Sequence, residues 1–391
     1  MGGARQTGLP GSRYVEGSMG GEVVLVLMVG GGGPSPAEVA VHQAREAAAR
    51  DLLEAVLEAG CASRAVVATD DPRWVEPLAH LPLEVDLDPP GEPFHFGRRL
   101  ADVIRRHRLE AVLYAGGGSA PLMFPADWRE ALTDFAAARS MVVTNNLHSS
   151  DWVAFRPAEA FCPLIAGQER DNGLAWALAH DGGLPVRALP PSASSRFDLD
   201  TPADLLIARA YPGLLPHLRA ALARLDWPKG IVEGVLEVMA REGSQLAVIG
   251  RSSSAAWASL EEATQCWVRL FVEERGMIAS GRLRRGEVRS LLAEHLERVG
   301  VDTFFSTLSG LVDAALMDNR VILAARGTWP SRADRFSADL FRWQEVGDPF
   351  LQAFARAAAG AGIPLLMGGQ SVVSGGLLAL VEVLRRRRGE R

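Results

Sequence analysis

Short apolar runs alternate with longer segments of helical spacing through the first half of the chain. "GEVVLVLMV" (residues 21–29) is almost continuously apolar and ends in "GGGG", the pattern of a strand buried on both faces. "SPAEVAVHQAREAAARDLLEAVLEAG" follows, with Ser35 as a cap, Pro36 at the first turn, apolar residues at helical spacing and Gly60 as a stop. The same rhythm predicts strands at "RAVVAT", "LEVDL", "EAVLYA" and "SMVVTNN", and helices at "WVEPLAHL", "FGRRLADVIRRHR" and "DWREALTDFAAAR". "SSRFDLDTPADL" reads as a strand that ends before Thr201-Pro202 and a helix. Strands and helices in this order predict a mostly parallel sheet covered on both faces. Ligands of such sheets bind beyond the carboxyl ends of the strands.

The alternation loosens after Tyr211. "YPGLLPHLRAALARLDWPKG" contains three prolines and reads as a connection. A second α/β region starts at "SQLAVIG", continues through amphipathic helices at 286–299 and 303–316, returns to a strand at "NRVILAAR" and closes with "IPLLMGGQSVVSGGLLALVEVL". The expected organisation is therefore a disordered segment 1–21, an α/β domain 22–212, a linker 213–229 and a second α/β domain 230–391. Residues Gly360 to Val381 carry no charge, but their six glycines, proline, glutamine and two serines suit a strand, loop and helix better than a membrane span.

Composition narrows the function classes. With 48% hydrophobic and 23% charged residues the chain is of ordinary globular type. A net charge of −6 argues against a nucleic-acid surface, and the run Arg385 to Arg388 reads as a solvated end. Cys61, Cys162 and Cys266 fit neither a disulfide framework nor a zinc pattern, which points to reduced thiols and a cytoplasmic location. The eight histidines show no HExxH pair. Lys229 is the one lysine, and glycine follows it, so a Walker lysine is excluded and arginine has to make any phosphate contacts.

Glycine runs between a buried strand and a helix let backbone N–H groups approach an anion at the positive end of that helix. Gly30, Gly31, Gly32 and Gly33 have this placement, as do Gly117 and Gly118 in "VLYAGGGSAPLM". A tight strand-to-helix turn needs the same glycines, so these runs leave both readings open. "VVTNNLHSSDWVAFRP" adds Asn145, Asn146, Ser149, Ser150 and Asp151 just past a strand, either a polar turn or a set of groups that reads a base or sugar. Asp198 and Asp200 either hold a metal or finish a strand and cap a helix.

Taken together, the early strand-glycine-helix unit, "VLYAGGGSAPLM" and "FDLDTPADL" resemble the GT-A-type nucleotidyltransferases, particularly the MobA-like group; "GEPFHFGRRLADVI" is similar to a segment of related small glycosyltransferase-like proteins. The resemblance covers residues 22–212. It implies a GT-A-like (Rossmann-like) three-layer α/β fold, a nucleotide or phosphorylated small molecule as ligand, and transfer of NMP to a phosphorylated acceptor with Mg2+ neutralising the phosphates. Asp200 matches the family's Asn or Asp metal ligand before Thr-Pro, and Asp198 stands beside it. Gly30 to Gly33, Gly117, Gly118, Ser119, Asn145, Asn146 and Asp151 become the expected nucleotide-binding set. Two departures stand out. Pro34, Ser35 and Pro36 replace the basic residues of the first loop, and Ser119 occupies the slot of the main metal-binding aspartate, where a hydroxyl is a poor magnesium ligand. Asp151 is a candidate replacement for that carboxylate. The departures support a second reading, a catalytically degenerate domain used for ligand binding or assembly.

No family resemblance is apparent after residue 230. "IGRSSSAAW" and "GGQSVVSGG" each place glycine and serine at a helix start, and Arg251, Ser252, Gly369 and Ser371 are expected to form one anion site in this half. A hydrolase elbow at Ser371 is excluded, because Val373 replaces the second glycine and His295 precedes the serine.

Overall fold

A computed structural model describes residues 22–228 and 230–390. The expected disordered opening (1–21) and Lys229 lie outside them. β1 (Val23–Val29), β2 (Arg64–Thr69), β3 (Leu83–Leu87), β4 (Ala111–Gly116), β5 (Met141–Thr144), β6 (Trp152–Arg156) and β7 (Val186–Ala188) form a seven-stranded sheet of order β3-β2-β1-β4-β6-β5-β7. β1 pairs in parallel with β2 and β4, while β6 runs antiparallel to β4 and β5. The side chains of β1 alternate between two cores. Leu25, Leu27 and Val29 pack with Leu52, Leu53 and Trp128, whereas Val24, Val26 and Met28 pack with Leu100, Val103 and Ile104. This two-sided burial explains the unbroken apolar run of β1 and produces the expected three-layer, GT-A-like nucleotidyltransferase arrangement.

The long helix Pro36–Glu58 starts as its sequence predicts. Ser35 and Glu38 form a reciprocal capping box, and Pro36 occupies the first turn. "WVEPLAHL" instead makes two 3₁₀ turns, Pro72–Trp74 and Glu76–Leu78, since Pro77 lacks the N–H that a continuing helix needs. β6 and β7 are not among the strands the sequence predicts: β6 is a short apolar run directly after the polar turn 145–151, and β7 has only three residues, none of them buried.

β8 (Gln245–Gly250), β9 (Trp267–Val272), β10 (Ala314–Asp318) and β11 (Leu365–Gly368) form a second, wholly parallel sheet of order β11-β10-β8-β9. Here one assignment reverses. The expected helix at 303–316 ends at Leu311, Ala314–Asp318 is the strand, and the expected strand "NRVILAAR" is the helix Arg320–Ala325. All five residues of β10 are buried between two helical layers. Short, fully buried runs carry no period by which strand and helix can be told apart. "GGQSVVSGGLLALVEVL" forms a 3₁₀ turn and the helix Gly375–Arg387, and no helix among the described residues is long and apolar enough to cross a membrane.

The halves share a core. Leu205 and Ile207 of the helix Pro202–Ala210 pack in one buried cluster with Leu246, Val248, Leu316 and Leu380. Residues 213–228 also join it through Leu214, Leu218, Leu222 and Trp227. Their helix Pro216–Ala223 is capped by Asp51, whose carboxylate accepts from the backbone N–H groups of His217 (2.9 Å) and Leu218 (2.7 Å). Gly375 meets the first half so closely that an added Cβ would lie 1.9 Å from the Arg196 carbonyl oxygen. This shared packing carries the carboxyl edge of the small sheet to the start of the helix Pro202–Ala210.

Candidate functional site

Because β6 is antiparallel, its beginning lies at the rim where β4 ends. Trp152 pairs with Ala115, and Asp151 stands next to Gly116. Ser119 fastens this junction: its hydroxyl accepts from the Gly116 N–H (3.0 Å) and donates to the Asp151 carbonyl (2.7 Å). The serine thus closes the loop onto β6. Asn145 has a similar internal task, donating from Nδ2 to the Asp151 carboxylate (2.6 Å) and to the Ser195 carbonyl (3.2 Å), while its Oδ1 accepts from the Asp151 N–H (3.0 Å). Asn146 caps a small turn through the His148 N–H (3.2 Å).

A carboxylate that the sequence reading missed, Asp171, approaches the same place. The Tyr114 hydroxyl donates to it at 3.0 Å, and a Cβ built on Gly116 would lie 3.8 Å from its Oδ2 and 3.3 Å from the Ser119 hydroxyl. Asp171 lies in "GQERDNG", a polar stretch that reads as an ordinary loop; only the fold brings it to the end of β4.

The segment holding Asp198 and Asp200 is not a strand. After the short helix Ala193–Arg196 it runs extended and irregular to Thr201, tied down by the Leu199 N–H donating to the Gly118 carbonyl (3.0 Å). Gly118 is required here, since an added Cβ would lie 2.7 Å from the Leu199 carbonyl oxygen and 3.2 Å from Arg45 Nε. Capping of the next helix falls to Asp204, whose Oδ2 accepts from the Asp200 N–H (3.0 Å), the Thr201 N–H (2.7 Å) and the Thr201 hydroxyl (2.9 Å). The Asp200 side chain is thereby released from capping and stands exposed in a cavity.

Burial and the charges gathered here raise the proton affinity of Asp151, Asp171 and Asp198. Burial, and then the charges of Asp171 and Asp200, lift the Asp151 carboxyl to about 7. Burial and the charges of Asp200 and Asp151 push Asp198 well above the usual carboxylate range. Burial also raises Asp171, against the lowering effect of the Tyr114 hydrogen bond. Arg196 lies nearby but donates to the carbonyls of Asn145 and Leu189. Among the described residues, a different trio, Asp51, Glu54 and His217, is the one set of candidate metal-ligand atoms within 4.8 Å of one another. Asp51 there has both oxygens engaged in its helix cap.

The cavity beside Asp200 has a volume of about 330 Å³. Gly31, Gly32, His42, Arg45 and Thr201 line it from the first half, and Arg320, Trp329, Arg332, Arg335 and Phe336 from the second. Gly31 has φ +76°, which suits glycine at the turn of the loop. His42 is raised above its ordinary pKa by its hydrogen bond to Glu46. A second hollow of about 500 Å³, between Glu54, Ala62 and Pro82, opens at the amino ends of β2 and β3, away from these groups.

The second-half residues Arg251, Ser252, Gly369 and Ser371 follow β8 and β11, which flank β10 at one edge of the small sheet. Arg251 is already neutralised: its guanidinium donates to both carboxylate oxygens of buried Asp318, at 2.5 and 3.0 Å. Arg320 is held likewise by Asp339, at 2.8 and 2.6 Å. Gly369 packs against Thr201, where an added Cβ would lie 3.1 Å from the threonine methyl. The hydroxyls of Ser252 and Ser371 are buried without a hydrogen-bond partner.

No protein-family profile and no curated protein matches the chain. The solved structures to which it is similar include a nucleotidyl transferase from Methanothermobacter thermautotroptrophicus, with 20% identity over 49% of this chain and 97% of that one and a TM-score of 0.36. A CMP:2-keto-3-deoxy-manno-octonic acid synthetase complexed with CTP is 14% identical over 43% of this chain and 89% of its own, with a TM-score of 0.31. A Mycobacterium tuberculosis protein complexed with manganese is 19% identical over 47% and 95%, with a TM-score of 0.30. These are nucleotidyltransferase-type folds covering about half of the chain, and at such identities no residue role is carried across.

Proposed function

We propose that the carboxyl edge of the seven-stranded sheet binds a nucleotide or similar phosphorylated small molecule and that, with an NTP bound, a phosphate oxygen of a phosphorylated acceptor attacks the α-phosphorus, so that NMP is transferred, the α–β phosphoanhydride bond breaks and pyrophosphate leaves. The observation that carries this reading is the cavity itself. It joins the Gly31–Gly32 backbone to Asp200, whose carboxylate is exposed, spared the helix cap by Asp204 and hydrogen-bonded to Asp198. Gly30 and Gly33 complete the loop, Gly117 and Gly118 the facing turn. Magnesium suits the donor set: oxygen ligands alone, and carboxylates crowded enough that a cation would relieve their repulsion. Asp198 and Asp200 would hold it, with Asp151 and Asp171 behind them, and a bound cation would offset charge developing on the phosphates. The protein's own groups orient the ligand against the glycine backbone and keep water from the buried side of the carboxylates.

A second reading is favoured by Ser119, which is locked between Gly116 and Asp151 and has no spare role as a ligand. On that reading the domain binds nucleotide without turning it over. Calorimetry with each of the four NTPs, with and without magnesium, tests both. Binding that strengthens with magnesium is expected for the transferase; binding indifferent to magnesium favours the degenerate reading, and no binding removes both.

A further inference from the structure

Resting on that nucleotide reading, we infer that the second half of the chain supplies the phosphate clamp missing from the glycine loop. Arg332 and Arg335, together with Arg45, grip the di- or triphosphate of the ligand against Gly31 and Gly32. The loop has no cation of its own, since Pro34, Ser35 and Pro36 follow the glycines. The opposite wall of the cavity is rich in arginine and comes from residues 329–336.

Each of the three side chains is available in a different way. Arg332 donates from Nη1 to the Gly31 carbonyl at 2.9 Å, which brings its guanidinium to the loop backbone while its other donors stay open. Arg335 lies over the Trp329 ring at 4.8 Å and donates to the Pro330 carbonyl at 2.5 Å, and no carboxylate among the described residues forms an ion pair with it. Burial, and then the charge of Arg320, lower its pKa to about 10, while the charges of Asp339 and Glu38 act the other way. Arg45 Nε is buried with no hydrogen-bond partner, beside Gly118 and therefore beside the segment carrying Asp200.

Arg320 lines the same cavity but is satisfied by Asp339, so it fixes the wall and is not counted in the clamp. Glu38, the carboxylate nearest the loop, is engaged by the Ser35 N–H at 3.2 Å. The wall thus presents guanidinium groups that are not ion-paired to any carboxylate among the described residues, opposite the exposed Asp200. A polyphosphate carrying a divalent cation satisfies both sides, its oxygens facing the arginines and its cation facing Asp200. Guanidinium forks suit phosphate oxygens in pairs, which a single carboxylate ligand would leave largely unused.

The test is calorimetry of inorganic tripolyphosphate and of the four NTPs, in magnesium, on the full chain and on R332A, R335A and R45M, with thermal unfolding as the control for folding. Each variant is expected to weaken tripolyphosphate and NTP binding by roughly tenfold at an unchanged melting temperature. NTP binding that is unchanged in R332A and R335A overturns the clamp and leaves the nucleotide reading intact. Tripolyphosphate binding that needs these arginines, with no NTP bound, supports the clamp and overturns the nucleotide reading. If R335A does not fold, the exposed Arg332 decides the matter, since its removal takes away no buried contact.

Discussion

Aspartates lie near the carboxyl edge of the sheet in both halves, and they are treated in opposite ways. In the small sheet Asp318 is buried and gripped on both oxygens by Arg251, and Asp339 answers Arg320 in the same manner. At the edge of the large sheet Asp151, Asp171, Asp198 and Asp200 gather with no arginine among the described residues ion-paired to any of them, although the charge of Arg196 reaches Asp151. A carboxylate that has its cation is part of the architecture. One without a cation, held near others of its kind, takes up a proton more readily and, on the proposed reading, a metal ion. The arginines follow the same division. Arg251 and Arg320 are spent, whereas Arg332 and Arg335 line the cavity with no carboxylate among the described residues at ion-pair distance.

The contrast is broken most severely by Asp318→Ala. It leaves Arg251 buried and unpaired, and a loss of about 3–5 kcal/mol in unfolding free energy is expected by chemical denaturation. An unaltered midpoint would place Asp318 among the unspent carboxylates. Asp200→Ala should do the reverse: stability held within about 0.5 kcal/mol, and magnesium-dependent NTP binding weakened by roughly ten- to a hundredfold in calorimetry. Ser119→Asp sharpens the comparison by adding one more carboxylate. It cannot donate to the Asp151 carbonyl, so a loss of about 1–3 kcal/mol is expected in metal-free buffer, with partial recovery when magnesium or manganese is added. Full stability without metal would show that the rim tolerates the extra charge.

The smallest effect concerns pH. Asp151 has a folded pKa raised to about 7, above the ordinary carboxylate value, so the native state binds more protons than the unfolded chain between the two. Its contribution therefore falls as pH rises from the ordinary aspartate range towards 7 and stays lost above it. Asp151→Asn removes that slope. Denaturation midpoints of the variant and the parent chain, measured from pH 4 to 8 in metal-free buffer, should diverge with the variant gaining at higher pH; parallel curves would contradict this.

Much of the large sheet is legible because its information is local. The apolar run of β1, the cap at Ser35-Pro36 and the glycines after β1 and β4 each declare their conformation within a few residues. Asp200 is legible too, through its place before Thr201-Pro202. Its freedom is not, because the capping duty passes to Asp204 only once the helix has formed. The apparent strand at Asp198 illustrates the limit: alternating side chains without a neighbouring strand make an extended segment, and the neighbour here is the single Gly118 carbonyl.

The amino-acid sequence by itself determined the first five strands in their order, the glycine loops at the strand ends, and the absence of basic residues directly after the first of them. Only the tertiary structure decided what replaces those basic residues. The contact from Arg332 to Gly31 spans 301 positions of chain, and no period or cap in a local segment records a contact of that range. The same holds for Asp171 beside Ser119, and for β10, whose Ala-Ala-Leu-Met residues become a strand because two parallel neighbours and two helical layers bury them completely. Local pattern selects conformation where one face meets water. Where a segment is surrounded, or where charges from distant segments converge, the energies that decide belong to the assembled fold.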